Sequence, residues 1–298
     1  MYLKPMELAL IGAQESFPAM HARCSSAQAK LALTCSRITC TKTTRHPRSA
    51  PKSFDPRLLK LIPYIGEGLS MYACTAGQYL FPLYESLNIY FGDLHWWPGD
   101  SPFEVIVGAI LTQNTTWHNV EIAIKKLKAK ELLHPGRLME TEDDVLAELI
   151  RSSGYYNVKT RRLKSFVQYL CDEYDGSLDR MFAEDLWHLR ETLLRVKGIG
   201  EETADSILLY AGEKPVFVVD AYTRRILQRH GFSCKDAGYG EIQALFMTNL
   251  PNNVPLYKQY HALLVNTGKT FCNKTPRCEG CPLGGFNACL NERSLAAV

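Results

Sequence analysis

The sequence predicts an all-α protein, and three observations carry that prediction. Apolar residues recur at helical spacing over most of the chain from about Gln78 onward. Helix-opening residues stand at the head of several of these stretches. Only one short run, Val216 to Val219, has the character of a strand.

The chain has 298 residues, 46% of them hydrophobic and 22% charged, which suffices for one large core or two modest ones. No apolar run is long enough for a membrane-spanning helix, and no membrane partner is expected. The net charge of +3 is unevenly spread. Residues 1–70 hold ten Lys/Arg against four Asp/Glu, leaving 24 against 27 for the rest. Overall charge therefore gives no argument for nucleic-acid binding, and such an argument must come from local geometry. Phe17 to Phe54 contains no acid and seven Lys/Arg among many Ser, Thr and Ala. That composition suits a disordered arm, an organellar transit segment, or an upstream stretch that is not translated. Residues 1–77 are accordingly set apart as an N-terminal extension.

Ser101-Pro102-Phe103-Glu104 has the form of a capping box with proline at the first helical position. It should launch an apolar helix through Val105, Ile106, Ala109, Ile110 and Leu111. Thr141-Glu142-Asp143-Asp144 opens another, with Val145, Leu146, Leu149 and Ile150 expected inward. Helical periodicity continues through Leu163, Phe166, Val167 and Leu170, then Leu186, Leu189, Leu193 and Leu194.

The centre of the chain is Leu194 to Ala204, where an amphipathic helix ends, a Gly-x-Gly turn follows, and a second helix places Ala204, Ile207 and Leu208 on one face. Gly198 and Gly200 permit positive φ and leave no side chain in the way. The amides around Gly198, Ile199 and Gly200 can then meet a phosphate oxygen at a helix start, a grip on DNA that reads no sequence. An ordinary helix–helix turn has the same glycines. Asp220 follows the apolar run from Val216 at the mouth of a helix, Tyr222 to His230, where it can serve as an N-cap, a functional carboxylate, or both.

Ten cysteines are present, and four of them, Cys272, Cys278, Cys281 and Cys289, fall within 18 residues with five, two and seven residues between them. Four thiolates so placed point to a metal, either tetrahedral zinc or an iron–sulfur cluster, and to a reducing compartment.

The hairpin with its following aspartate resembles the helix-hairpin-helix glycosylase superfamily, the endonuclease III branch in particular, from about Trp96 to Cys289. Trp96-Trp97-Pro98, Leu111-Thr112-Gln113-Asn114-Thr115, Gly154-Tyr155-Tyr156-Asn157 and Lys197 to Glu202 together resemble the 3-methyladenine glycosylases of the endonuclease III type. The resemblance implies two helical lobes, 98–213 with the wedge loop and hairpin, and 78–97 plus 214–298 with the aspartate and a C-terminal cluster loop. It implies a monomeric enzyme on double-stranded DNA with a damaged base, in which Gln113 fills the gap left by a flipped base and Asp220 is the catalytic carboxylate. It favours [4Fe–4S] over zinc at the four cysteines, although their intervals differ from the branch's own. Members that also cut the strand carry a lysine where this chain has Glu202, and a carboxylate cannot form the required imine. The expected activity is thus hydrolysis of the bond to an alkylated base, leaving an abasic site. Two alternatives stand beside it: a glycosylase and strand-cutting lyase on oxidised pyrimidines or mismatches, and a non-catalytic iron–sulfur DNA-binding protein. Trp96, Trp97 and Trp117 are read as walls of a base pocket, since an aromatic face holds a base or an alkylated cation well. Lys269 falls where that group has a lysine near its pocket. The expected compartment is cytoplasm or nucleus, with an organelle open to the N-terminal extension.

Overall fold

The computed structural model describes residues 67–286, with side chains from residue 77 on. Residues 1–66 of the N-terminal extension and Cys289 lie outside the described residues; the extension's last residues, 67–77, are not a separate arm but the first turns of a helix, Glu67–Phe91. Within them the chain is helical and contains no strand. The described residues fall within one compact unit.

Helix α1 (Glu67–Phe91) packs on α11 (Tyr239–Asn249) and α12 (Val254–Thr270), and α10 (Ala221–Arg229) packs on α12. Helix α2 (Pro102–Leu111) lies among α3 (Trp117–Ala129), α6 (Tyr156–Tyr174), α9 (Glu201–Ser206) and a π-helical turn, Ile207–Ala211. The short helices α4 (Pro135–Glu140), α5 (Asp143–Leu149), α7 (Leu178–Ala183) and α8 (Leu186–Arg195) complete the order.

The start of α2 follows from its sequence. Ser101 Oγ accepts the Glu104 amide at 3.2 Å, and Pro102 sits in the first turn. The returning arm of the box is displaced by one residue: Glu104 accepts the amide of Asp100, at 3.1 Å, and not that of the cap. Every residue from Phe103 to Leu111 is buried, so α2 is apolar all round and runs through the core.

Helix α5 departs from expectation. It starts at Asp143 with Glu142 at the cap and no side-chain cap bond, while Thr141 Oγ1 turns back to the Arg137 carbonyl at 2.7 Å. Its inward side is Leu146, Ala147 and Ile150. Val145 is 53% exposed, because a seven-residue helix offers only one narrow stripe to α6. The inward residues of α6 and the pair Leu189 and Leu193 of α8 are buried as the periodicity requires, with Leu186 and Leu194 half-buried.

Val216 to Val219 is extended but pairs with no strand. It is buried between helices, and Phe217 stacks on Phe246 at 3.8 Å with Tyr257 and Tyr260 edge-on. Its polar backbone is met by side chains: Gln243 Nε2 donates to the Phe217 carbonyl, and the Val219 amide donates to Tyr239 Oη. The same Tyr239 and Gln243 donate to Asp205 at 2.8 and 2.7 Å, and Arg190 reaches both Asp205 oxygens at 2.7 and 3.0 Å. This buried network joins α8 and α9 to α11 and to the segment that delivers Asp220.

A second buried charge is Lys159, 1% exposed, whose ammonium donates to the carbonyls of Leu111 and Ser153 at 2.8 and 2.6 Å. It closes the C-terminal end of α2, where a cation is favoured. Burial, with Arg162 nearby, pulls its pKa down to about 8.

Candidate active site

The turn between α8 and α9 needs glycine once for its backbone. Gly198 has φ +92°, and a Cβ there would lie 2.4 Å from Arg162 Cγ. Gly200 is extended, with φ −101° and ψ −179°, so of the two glycines only Gly198 uses the positive φ that both permit. A Cβ at Gly200 would meet nothing, and what glycine leaves there is an open approach to the start of α9. Ile199 is buried and anchors the turn, and its amide donates to the Val196 carbonyl at 3.0 Å. Among the described residues the amides of Gly198 and Gly200 have no such partner.

Gln113 lies beside this turn. Its Nε2 donates to the Gly198 carbonyl at 3.1 Å and to Thr203 Oγ1 at 2.9 Å, and its Oε1 accepts from Arg162. The loop that carries it and the hairpin are therefore held together. Tyr155, on a left-handed backbone at φ 47°, is 73% exposed just before α6.

Asp220 caps α10: Oδ1 accepts the Thr223 amide at 2.7 Å. The side chain is nearly buried, and Oδ2 stands 3.9 Å from Nε2 of His261 on α12. Titratable groups converge on this carboxylate from two elements, α9 and α12. Glu202, in the first turn of α9, keeps surface area open to solvent, yet its carboxyl is pushed up to about 7 by burial and then by Asp220. Lys269, at the end of α12, is pulled down by burial and pushed back by Asp220. Burial also lowers His261.

The tryptophans meet as expected. Trp97 and Trp117 are edge-on at 5.3 Å, and Trp96 lies 6.0 and 6.3 Å from them. Lys269 Nζ stands 5.3 Å from the Trp96 ring centre, within cation–π range. Gly108 of α2 leaves room for Trp97 and Trp117, since a Cβ there would come within 3.3 to 3.5 Å of them. Tyr210, from the π-helical turn, packs 5.2 Å from Trp97. Tyr210, His261 and Arg162 are the parts of the site that sequence reasoning missed. Each reads locally as an ordinary helix residue.

Three of the four clustered cysteines are described: Cys272 buried, Cys281 half-buried and Cys278 exposed, all as free thiols. The Cys281 amide donates to the Cys278 carbonyl at 3.1 Å, so the pair shares one turn. Burial raises the Cys281 thiol, and Cys272 and Cys278 are near enough to raise it further. Arg229 donates to Cys272 Sγ at 3.3 Å and holds the carbonyls of Asn273 and Lys274, while Arg225 holds that of Cys272 at 2.6 Å. Among the described residues no group of three or more His, Cys, Asp or Glu is arranged to hold an ion.

A family model described as HhH-GPD superfamily base excision DNA repair protein matches residues 107–252. A Methanocaldococcus jannaschii protein named as a DNA repair glycosylase is 44% identical over 217 residues, 72% of this chain and 97% of that one. The H. pylori 3-methyladenine DNA glycosylase bound to 1,N6-ethenoadenine is 31% identical, with a TM-score of 0.57 over 65% of this chain and 97% of that one. An endonuclease III trapped as a covalent intermediate with DNA is 25% identical, with a TM-score of 0.62 over 70% of this chain and 94% of that one.

Proposed function

This chain belongs to the HhH-GPD superfamily of base excision DNA repair proteins and is a DNA N-glycosylase, and from that premise we propose that it releases an alkylated purine by hydrolysis without cutting the strand. The observation that carries the proposal is Glu202. It occupies the position of the attacking lysine in strand-cutting members, and it is a carboxyl poised near neutrality beside Asp220.

On this reading the free amides at Gly198 and Gly200 take a phosphate of double-stranded DNA. The damaged base leaves the stack, which costs a few kcal/mol, and Gln113 enters the gap. The base lies among Trp96, Trp97 and Trp117, where stacking adds ~1–3 kcal/mol. As the bond to the base breaks, positive charge grows on the sugar, and Asp220 Oδ2 stabilises it and orients the attacking water. Tyr155 is a further exposed ring available to the duplex. The pairing of the H. pylori protein with an etheno-purine supports the purine choice, as the wall of three tryptophans does.

One observation favours the lyase alternative. Lys269 is an amine beside Asp220 whose proton affinity is lowered by burial, as an imine-forming amine requires. A gel assay separates the two. End-labelled duplexes carrying 1,N6-ethenoadenine, thymine glycol or a natural abasic site are incubated with the protein, then run with and without hot alkali. Breaks only after alkali, on the ethenoadenine duplex, are the expected result. Breaks without alkali on the other two would overturn the hydrolytic reading and turn attention to Lys269.

We assign a [4Fe–4S] cluster to Cys272, Cys278, Cys281 and Cys289: the first three are unbridged thiols near enough to act on Cys281, and Arg229 donates to Cys272 Sγ, where it would stabilise a thiolate. The cluster would hold the last segment of the chain in place and supply no chemistry to the sugar. Purified protein should carry iron and sulfide, and Cys278→Ala should lose both along with thermal stability. A colourless protein with one zinc would refute the cluster.

A further inference from the structure

We infer that His261 and Tyr210 form a positioning relay that presents an N–H to the catalytic oxygen of Asp220. The inference rests on the reading of Asp220 given above and adds two residues to it.

Tyr210 Oη lies 2.6 Å from His261 Nδ1, and the other ring nitrogen, Nε2, is buried without a hydrogen-bond partner 3.9 Å from Asp220 Oδ2. Tyr210 has one proton to give and two acceptors within reach. One is the imidazole at 2.6 Å, and the other is the Lys258 carbonyl at 3.4 Å. The Asp220 carboxylate facing Nε2 selects the imidazole, because it favours a hydrogen on that nitrogen and so leaves Nδ1 to accept. Nδ1 is then the acceptor and Nε2 carries the hydrogen. The opposite tautomer would turn a lone pair toward a carboxylate, which is repulsive. Burial of the ring keeps it neutral, so it is a fixed dipole and not a competing cation.

The placement gives each Asp220 oxygen its own task. Oδ1 is held by the Thr223 amide, which fixes the side chain at the start of α10. Oδ2 is the oxygen left for the substrate, and His261 approaches it from α12. A gap of 3.9 Å closes with a small movement, as catalytic hydrogen bonds do when substrate arrives. The hydrogen so aimed is directed at the carboxylate oxygen left for the substrate. The other groups facing this cluster are Lys269, which acts on both Asp220 and His261, and Lys258, whose ammonium lies 6.0 Å from the Tyr210 ring centre and pairs with Glu213. His261 acts through Asp220, and Tyr210 acts through His261, although its ring also packs 5.2 Å from Trp97 of the pocket wall.

Two measurements test this on the full chain. Nitrogen-15 NMR of the imidazoles, with His261 assigned by difference from His261→Gln, should show an Nε2–H neutral ring through the range in which the protein is active. In Tyr210→Phe, which keeps the ring's shape, that tautomer preference should weaken. Single-turnover base release from the ethenoadenine duplex should fall about tenfold or more in His261→Gln, within the range of a positioned proton-handling group. Tyr210→Phe should show a smaller loss of rate. An Nδ1–H ring, or a wild-type rate in His261→Gln, would overturn the relay. Asp220→Asn run alongside keeps the two failures apart: full activity in that variant sinks the reading of Asp220, whereas its inactivity beside an unaffected His261→Gln sinks only the relay.

Discussion

Asp220→Asn should lose base release by about 10³-fold, the scale on which a single preorganised electrostatic group acts in a transition state, while the protein folds as before. The two halves of that expectation have separate causes. Asparagine caps a helix as well as aspartate does, and its side-chain oxygen can keep the Thr223 amide that Oδ1 now accepts at 2.7 Å. What it lacks is the negative charge facing the sugar. Thermal unfolding and affinity for an abasic-site duplex should therefore stay close to wild type, and single-turnover release from the ethenoadenine duplex should collapse. An intact rate would remove the carboxylate from the mechanism. A large loss of unfolding temperature would mean that Asp220 is chiefly a cap.

The second large effect concerns stability. Arg190→Met should cost ~3–5 kcal/mol, the usual penalty for removing one partner of a buried ion pair. Asp205 is fully buried, and Arg190 supplies two of its four hydrogen bonds. Methionine fills the space of the stem but leaves a carboxylate with only Tyr239 and Gln243. The effect should depend on pH in a definite direction. Burial raises the Asp205 carboxyl even with Arg190 present, and more so without it. In the variant the folded state then binds a proton more tightly than the unfolded chain. The deficit should accordingly shrink as pH falls toward the ordinary carboxylate range and be largest above it. Denaturant melts of both proteins at several pH values measure this. A deficit that does not vary with pH would assign the loss to packing alone. Adding Asp205→Asn to the variant should recover part of the stability, because the stranded charge is gone.

The parts of this architecture legible in the sequence are those written in adjacent residues. Ser101 before Pro102 marks a helix start, Gly198 marks a turn, and Asp220 marks a cap, because each acts on its own backbone neighbours. The tryptophans were legible as a group only because they are rare. Errors arose where a short element had several permissible starts, as at Thr141 and Val145. Gly198 and Gly200 both permit positive φ by type, and only the folded turn shows that Gly198 alone adopts it. The long-range polar contacts left no trace. Tyr210 and His261 are 51 residues apart, and Gln113 and Thr203 are 90 apart. Neither pair shares a period or a motif, and only folding tells which polar side chain on one helix meets which on another. The cysteine spacing was legible as a set of thiols, and three of them are close in the fold, with Cys289 beyond the described residues.

The bonds that tie Gln113 to Gly198, Thr203 and Arg162 also bear on how such an enzyme patrols a genome. On the function proposed above, Gln113 must first release them to stand in a duplex, and each is worth ~0.5–1.5 kcal/mol net. Sound base pairs return nothing for that release. A tenfold difference in dwell needs about 1.4 kcal/mol, so the tether alone is large enough to let the protein pass intact sequence quickly and pause where the stack is already weakened. A loosened side chain, as in Thr203→Val, would make a slower and less discriminating searcher.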